Sequence, residues 1–169
     1  LFRSLLVILP IVGTVFKKTY FDRDLGRNAS CLVMPKNFIV NYWTKNLDQC
    51  ERSTEYHEYS QRVVKEKMNK GLYRNVELAE PSLGSQEQSK SDPNSMTTPE
   101  EDATTPYVIL EQHTFLDLDK DGYAEPYVVI VEKDSKEVLR IAARFSEDDV
   151  EVTEEGKVVK ITPNSYYTK

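Results

Sequence analysis

Residues 107–145 read YVILEQHTFLDLDKDGYAEPYVVIVEKDSKEVLRIAARF. Tyr107–Leu116 alternates well enough for a strand. Tyr127–Glu132 is a nearly continuous apolar run, which suits a strand covered on both faces. Val138–Phe145 is a third strand, reached after the turn-forming Asp134-Ser135-Lys136. Downstream, Val150–Thr153 and Lys157–Ile161 flank Glu154-Glu155-Gly156, a short hairpin loop with glycine where a left-handed residue is needed. Sequential strands with short connections predict an antiparallel meander.

The upstream half adds helix to this pattern. Leu5–Val15 is apolar, is preceded by Arg3, and is closed by Lys17-Lys18. It is too short to span a bilayer and no small-residue cleavage site follows. It is expected to be a short helical end that stops at Leu9, with the break at Pro10. Thr14–Phe21 reads as a strand and Asp22–Ser30 as a loop. Cys31–Met34 and Phe38–Tyr42 read as short strands around the turn Pro35-Lys36-Asn37. An amphipathic helix is predicted over about 54–70. Ser53 or Thr54 caps it, Tyr56, Tyr59, Val63 and Met68 share a face, and Gly71 takes the C-terminal cap. Its other face mixes Glu55, Glu58 and Glu66 with Arg62, Lys65, Lys67 and Lys70, a solvated surface whose i,i+4 pairs are worth roughly 0.2–0.5 kcal/mol each. Tyr42, Trp43, Tyr56, Tyr59 and Tyr73 cluster around this helix and read mostly as core.

Residues 82–105, SLGSQEQSKSDPNSMTTPEEDATT, hold too little apolar surface to offset the entropy of ordering. They are expected to form a mobile loop between 1–81 and 106–169, which together make one domain. The fold class is therefore α+β: a strand-rich antiparallel meander with one clear amphipathic helix and a short N-terminal helical end.

The net charge of −6 argues against a surface built to grip phosphates. The two cysteines, Cys31 and Cys50, form no C-x-x-C and read as reduced thiols. His57, on the predicted helix, and His113, in a strand, belong to no metal or catalytic spacing. The chain has no nucleophile elbow, no Gly-rich phosphate loop and no HExxH. No catalytic residue, cofactor or metal ligand is assigned, and the chain is not expected to be an enzyme.

One local motif carries chemistry. Asp117-Leu118-Asp119-Lys120-Asp121-Gly122 matches the start of an EF-hand calcium loop, whose alternate carboxylates converge on a hard cation. Position twelve, which should be a bidentate Glu, is Val128, and Glu125 at position nine precedes a strand-like run. The competing reading is a hairpin turn. Asp121-Gly122 supplies the turn, and Asp117 and Asp119 accept nearby backbone N–H groups. A calcium-binding β module using Asp117, Asp119 and Asp121 is the alternative function.

Taken together, several phrases resemble the portal proteins of short-tailed phages and related prophages. They are LPIVGTVFKKTYFD (Leu9–Asp22), MPKNFIVN (Met34–Asn41), GLYRNVE (Gly71–Glu77), LEQHTFLDLDKDGYAEPYVVIV (Leu110–Val131), EVLRI (Glu137–Ile141) and PNSYYTK (Pro163–Lys169). The specificity lies in their order and number, and 82–105 departs from the family pattern. The resemblance implies an internal fragment of a structural ring subunit, from the body or outer wing. Such rings, usually dodecamers, conduct DNA into and out of the capsid and dock the terminase, the capsid and the tail proteins. Double-stranded DNA passes without specific binding, and the ATPase chemistry belongs to the terminase. The resemblance implies assembly in the bacterial cytoplasm, residence in the virion and no membrane partner.

Overall fold

The computed structural model describes residues 2–22, 25–81, 104–153 and 158–168. Its two helices and ten strands, in antiparallel sheets, make it α+β and strand-rich, as the sequence predicts. The helices are α1 (Phe2–Val12) and α2 (Gln61–Asn69). The strands are β1 (Phe16–Asp22), β2 (Arg27–Val33), β3 (Phe38–Val40), β4 (Ser53–Tyr59), β5 (Tyr107–Leu116), β6 (Glu125–Glu132), β7 (Val138–Ala143), β8 (Val150–Val152), β9 (Val158–Ile161) and β10 (Tyr167–Thr168). They form three sheets, ordered β10-β1-β2, β3-β4-β5-β6-β7 and β8-β9.

Two compact units share these elements. One gathers Leu1–Glu55, Gln112–Val128 and Ala142–Lys169, and the other Tyr56–Glu111 and Val129–Ile141. Each unit therefore draws on both sides of the polar stretch 82–105. Within the first, Val33, Phe38 and Tyr167 form a buried cluster backed by Phe16, Cys31, Val40, Leu47 and Tyr166. The Phe38 ring centroid lies 4.7 Å from both Phe16 and Tyr167, in tilted contacts that add to simple area burial. Within the second, Val64, Tyr73, Ile109, Val129, Ile130 and Leu139 are buried.

The largest correction concerns the helix expected over 54–70. Its first half is strand β4, and only Gln61–Asn69 is helical. The stretch STEYHEY fits both periods by eye, but pairing decides it. Phe38, Ile39 and Val40 pair antiparallel with Glu55, Thr54 and Ser53. Thr and Tyr also suit a pleated surface better than a helix interior. His57 thus lies on a strand, not a helix, and the N-cap position is Ser60. The helix end is as expected. Gly71 has φ 70°, its N–H donates to Met68 O, and Leu72 N–H donates to Lys67 O, the Schellman arrangement. The Arg62–Glu66 and Lys70–Glu66 pairs stand on an exposed face.

Three smaller differences have local causes. Helix α1 does not stop at Leu9 but carries Pro10 inside it and ends at Val12. Gly13, with φ 83°, closes the last turn through its N–H to Leu9 O at 2.8 Å. Of the loop expected over Asp22–Ser30, Asp22 ends β1 and Arg27–Ser30 begin β2, because Arg27 to Val33 pair residue for residue with β1. The strand expected to reach Tyr42 ends at Val40, and Tyr42 and Trp43 are not core at all, being 89 % and 86 % exposed.

The strands expected around Tyr107–Leu116, Tyr127–Glu132 and Val138–Phe145 are present as β5, β6 and β7. Val150–Val152 and Val158–Ile161 pair as expected, while the intervening Glu154-Glu155-Gly156 lies outside the described residues. So does the expected mobile loop, except Thr104 and Thr105, of which Thr105 is buried.

Candidate functional site

The Asp117–Gly122 loop joins β5 to β6, so strands rather than helices flank it. Its carboxylates turn partly inward on the backbone. Gly122 N–H donates to Asp117 Oδ2 at 3.1 Å, Asp121 N–H to Asp119 Oδ1 at 3.3 Å, and Tyr123 N–H to Asp121 Oδ1 at 2.7 Å. Lys120 and Gly122 both adopt positive φ, which lets the chain reverse. This is the hydrogen-bonded turn anticipated from the aspartates and glycine. The three carboxylates also bring one oxygen each within 4.8 Å of one another, on an exposed surface. Val128 lies in β6 and offers no carboxylate, so the later ligand positions of an EF-hand loop are not reproduced.

Two buried carboxylates, Glu55 and Glu132, lie outside the residues that the sequence singles out. Glu55, on β4, accepts from Lys18 Nζ at 2.9 Å and from Tyr167 Oη–H at 2.7 Å. Lys18 Nζ also lies 5.5 Å from the Tyr167 ring centroid. The alternation of β4 turns Ser53 and Glu55 inward together, and Lys18 is brought by β1, whose Lys18 pairs with Tyr167 of β10. His113, buried on β5, packs edge-on to Tyr166 at 5.4 Å and against Tyr167 at 4.9 Å. Glu132, at the end of β6, folds back on its own turn. It accepts from Asp134 N–H at 3.1 Å and from Ser135 N–H and Ser135 Oγ–H, each at 2.6 Å. These charge-assisted bonds close the β6–β7 connection.

In the second unit, His57 Nε2 lies 3.4 Å from Glu111, and its ring stacks on Tyr59 at 5.4 Å. Lys67 Nζ sits over the rings of Tyr59 and Tyr73, at 5.0 and 5.4 Å. Burial raises the Tyr73 hydroxyl pKa well above the ordinary phenol value. Tyr59 and Glu111 add to that shift, and Arg140 opposes it. The arrangement keeps Tyr73 neutral.

The surface of the first unit is the more informative part. On α1, Leu6, Val7, Leu9, Ile11 and Val12 are all exposed, Ile11 to 78 %. Tyr42 and Trp43 stand out of the loop after β3 and meet edge-on at 5.0 Å. Beneath them the loop is pinned by Thr44 Oγ1–H to Cys50 Sγ at 3.6 Å and by Cys50 Sγ–H to Arg52 O at 3.1 Å. An open cleft of about 650 Å³ follows, lined by Asn41, Gln49, Cys50, Glu51, Arg52 and Phe115 among others. Cys31 and Cys50 are not bridged. No helix among the described residues is long and apolar enough to cross a membrane.

Compared with known proteins, the chain matches no family model and no curated protein sequence.

Proposed function

We propose that this chain is part of the body of a phage portal subunit, a structural ring component rather than an enzyme. The observation that carries the reading is the surface of the first unit. It shows exposed apolar side chains on α1 and a protruding Tyr42–Trp43 pair, where a solitary soluble domain would hide such groups. In a ring these surfaces are covered by neighbours. The phrases that resemble portal proteins support the same reading. They fall on the end of α1 with β1, on β3, on the cap of α2, on β5 to β6 and on β7. These are elements and turns that build a scaffold, and none is a catalytic constellation. A net charge of −6 suits a part of the ring that does not grip DNA.

Negative-stain electron microscopy of the complete purified protein, with its native mass, tests this. Rings with a central channel and a mass near twelve subunits are expected. A stable monomer that stays dispersed in the presence of scaffold and terminase proteins would remove the reading.

A second reading has one observation in its favour, the convergence of Asp117, Asp119 and Asp121. In this reading the β5–β6 loop binds calcium through these three residues. A rise in Tm at millimolar calcium, lost in Asp119→Ala, is then expected from thermal melts with and without chelator. An unchanged Tm leaves the loop as a turn only.

A further inference from the structure

Helix α1 has no side suited to water. Its exposed Leu6, Val7, Leu9, Ile11 and Val12 are spread around the whole helix axis. A helix that is apolar all round is ordinarily buried. One stripe stands out furthest. Arg3, Val7 and Ile11 recur every four residues, so they lie on one side, with Val7 65 % and Ile11 78 % exposed. Arg3 is exposed and is the only charged residue of the helix. No acidic residue occurs before Asp22, so this end of an acidic chain is locally basic. The surface that fits it is an apolar groove with acid at the rim.

The second unit has such a groove. Helix α2 and the segment after it line an open cleft of about 530 Å³. Gln61, Val64, Lys65 and Met68 stand at i, i+3, i+4 and i+7 and form one ridge of α2. Val76, Leu78 and Tyr107 add apolar surface. Met68 is unbranched and adapts to an irregular apolar partner. The segment after α2 is held in place, because Arg74 N–H donates to Leu139 O at 2.7 Å and Tyr107 Oη–H donates to Ala79 O at 2.9 Å. A groove formed in advance loses little freedom on binding. Its charged lining residues are two exposed acids, Glu77 and Glu80, and one base, Lys65. Apolar floor and acidic rim are the complement of the α1 stripe.

We infer that the Arg3–Val7–Ile11 stripe of α1 docks in the α2 groove of a second copy of this chain, with Arg3 toward Glu77 and Glu80. The inference rests on the ring reading above and names one of its contacts. Anchors at i and i+4 are those of a helix seated in a groove. Two different surfaces that fit each other make a head-to-tail contact, which closes into a ring when repeated by rotation. The net charge of −6 opposes association at long range. Salt screens that repulsion and leaves apolar burial intact, so self-association should persist at high salt.

Sedimentation velocity of the full chain over a concentration series tests it. The wild type is expected to form dimers and larger species. Ile11→Asp on the helix and Met68→Asp in the groove should each weaken association by about 30-fold or more. An equimolar mixture of these two variants should form a dimer and nothing larger, since one keeps the groove and the other keeps the helix. At low salt, Arg3→Glu should weaken association about fivefold, and Glu77→Lys with Glu80→Lys in the same chain should restore it. Those three residues are exposed, so the charge exchange keeps the test open should Met68→Asp fail to fold. A wild type that remains monomeric at every concentration overturns the inference. So does a mixture of the two folded variants that stays monomeric, or a charge exchange that restores nothing. Association lost in Ile11→Asp but kept in every groove variant means that α1 meets another surface, and overturns it too. The two readings fail separately. Rings that form normally with Ile11→Asp in the complete protein remove this contact and keep the portal reading. The mixed dimer of a complete protein that never forms rings does the reverse.

Discussion

Glu55→Ala is expected to destabilise the fold by about 3–5 kcal/mol, the usual loss when one partner of a buried ion pair is removed. Glu55 and Lys18 are 6 % and 8 % exposed, so water cannot replace what either loses. The substitution takes the carboxylate from the Lys18 ammonium at 2.9 Å and from the Tyr167 hydroxyl at 2.7 Å. Those groups stand on β1 and β10, which are neighbours in one sheet, while Glu55 stands on β4 of another. The double variant Lys18→Met, Glu55→Leu separates the two contributions. Exchanging a buried pair for apolar side chains of similar volume is often neutral or stabilising. Most of the loss should therefore be recovered, apart from the Tyr167 bond. Urea midpoints at constant m-value give both numbers. If Glu55→Ala loses less than about 1 kcal/mol, the pair is better hydrated than its burial implies.

Buried carboxylates mark the limit of what could be read from the sequence. Glu55 looks like any of the 28 acidic residues. The partners of Glu55 lie 37 and 112 positions away, so no local pattern reveals them. Glu132 is different, because Asp134 and Ser135 follow it directly. Its role was in principle visible, as an acidic residue opening a turn rich in donors.

Elements whose pattern admits a single period were legible. β5 is rich in β-branched and aromatic residues, β6 is a short apolar run, and both appear where expected. The Asp117–Gly122 turn was legible for a different reason, since its hydrogen bonds link residues no more than five apart. Residues 53–70 were misread because Tyr56, Tyr59 and Val63 recur at nearly helical spacing while Ser53, Glu55 and His57 alternate. Long-range pairing with β3 then overrides the weak local preference. The exposure of Tyr42 and Trp43 could not be read from their residue types, which serve cores and interfaces equally well. Their position just past the end of β3 settles it.

The second large effect is expected at Ile109, in the unit that does not contain the Lys18–Glu55 pair. Ile109 is 0 % exposed and lies on the inward face of β5. Ile109→Ala should destabilise by about 2–5 kcal/mol, and Ile109→Val by about 0.5–1.5 kcal/mol. The spread reflects how far the lining of the new cavity can relax. Relaxation is restricted on the main chain here, because Lys133 N–H donates to Val108 O at 2.9 Å and holds β5 next to the altered residue. Pinned backbone argues for the upper part of the range. The ratio of the two losses is the sharper measurement. A hole left unfilled makes the alanine variant disproportionately worse than the valine, because the cavity contribution grows with the volume removed. Losses that scale simply with the methyl groups deleted would mean that β5 shifts to fill the space. Main-chain restraint would then be weaker than the hydrogen bond to Val108 implies.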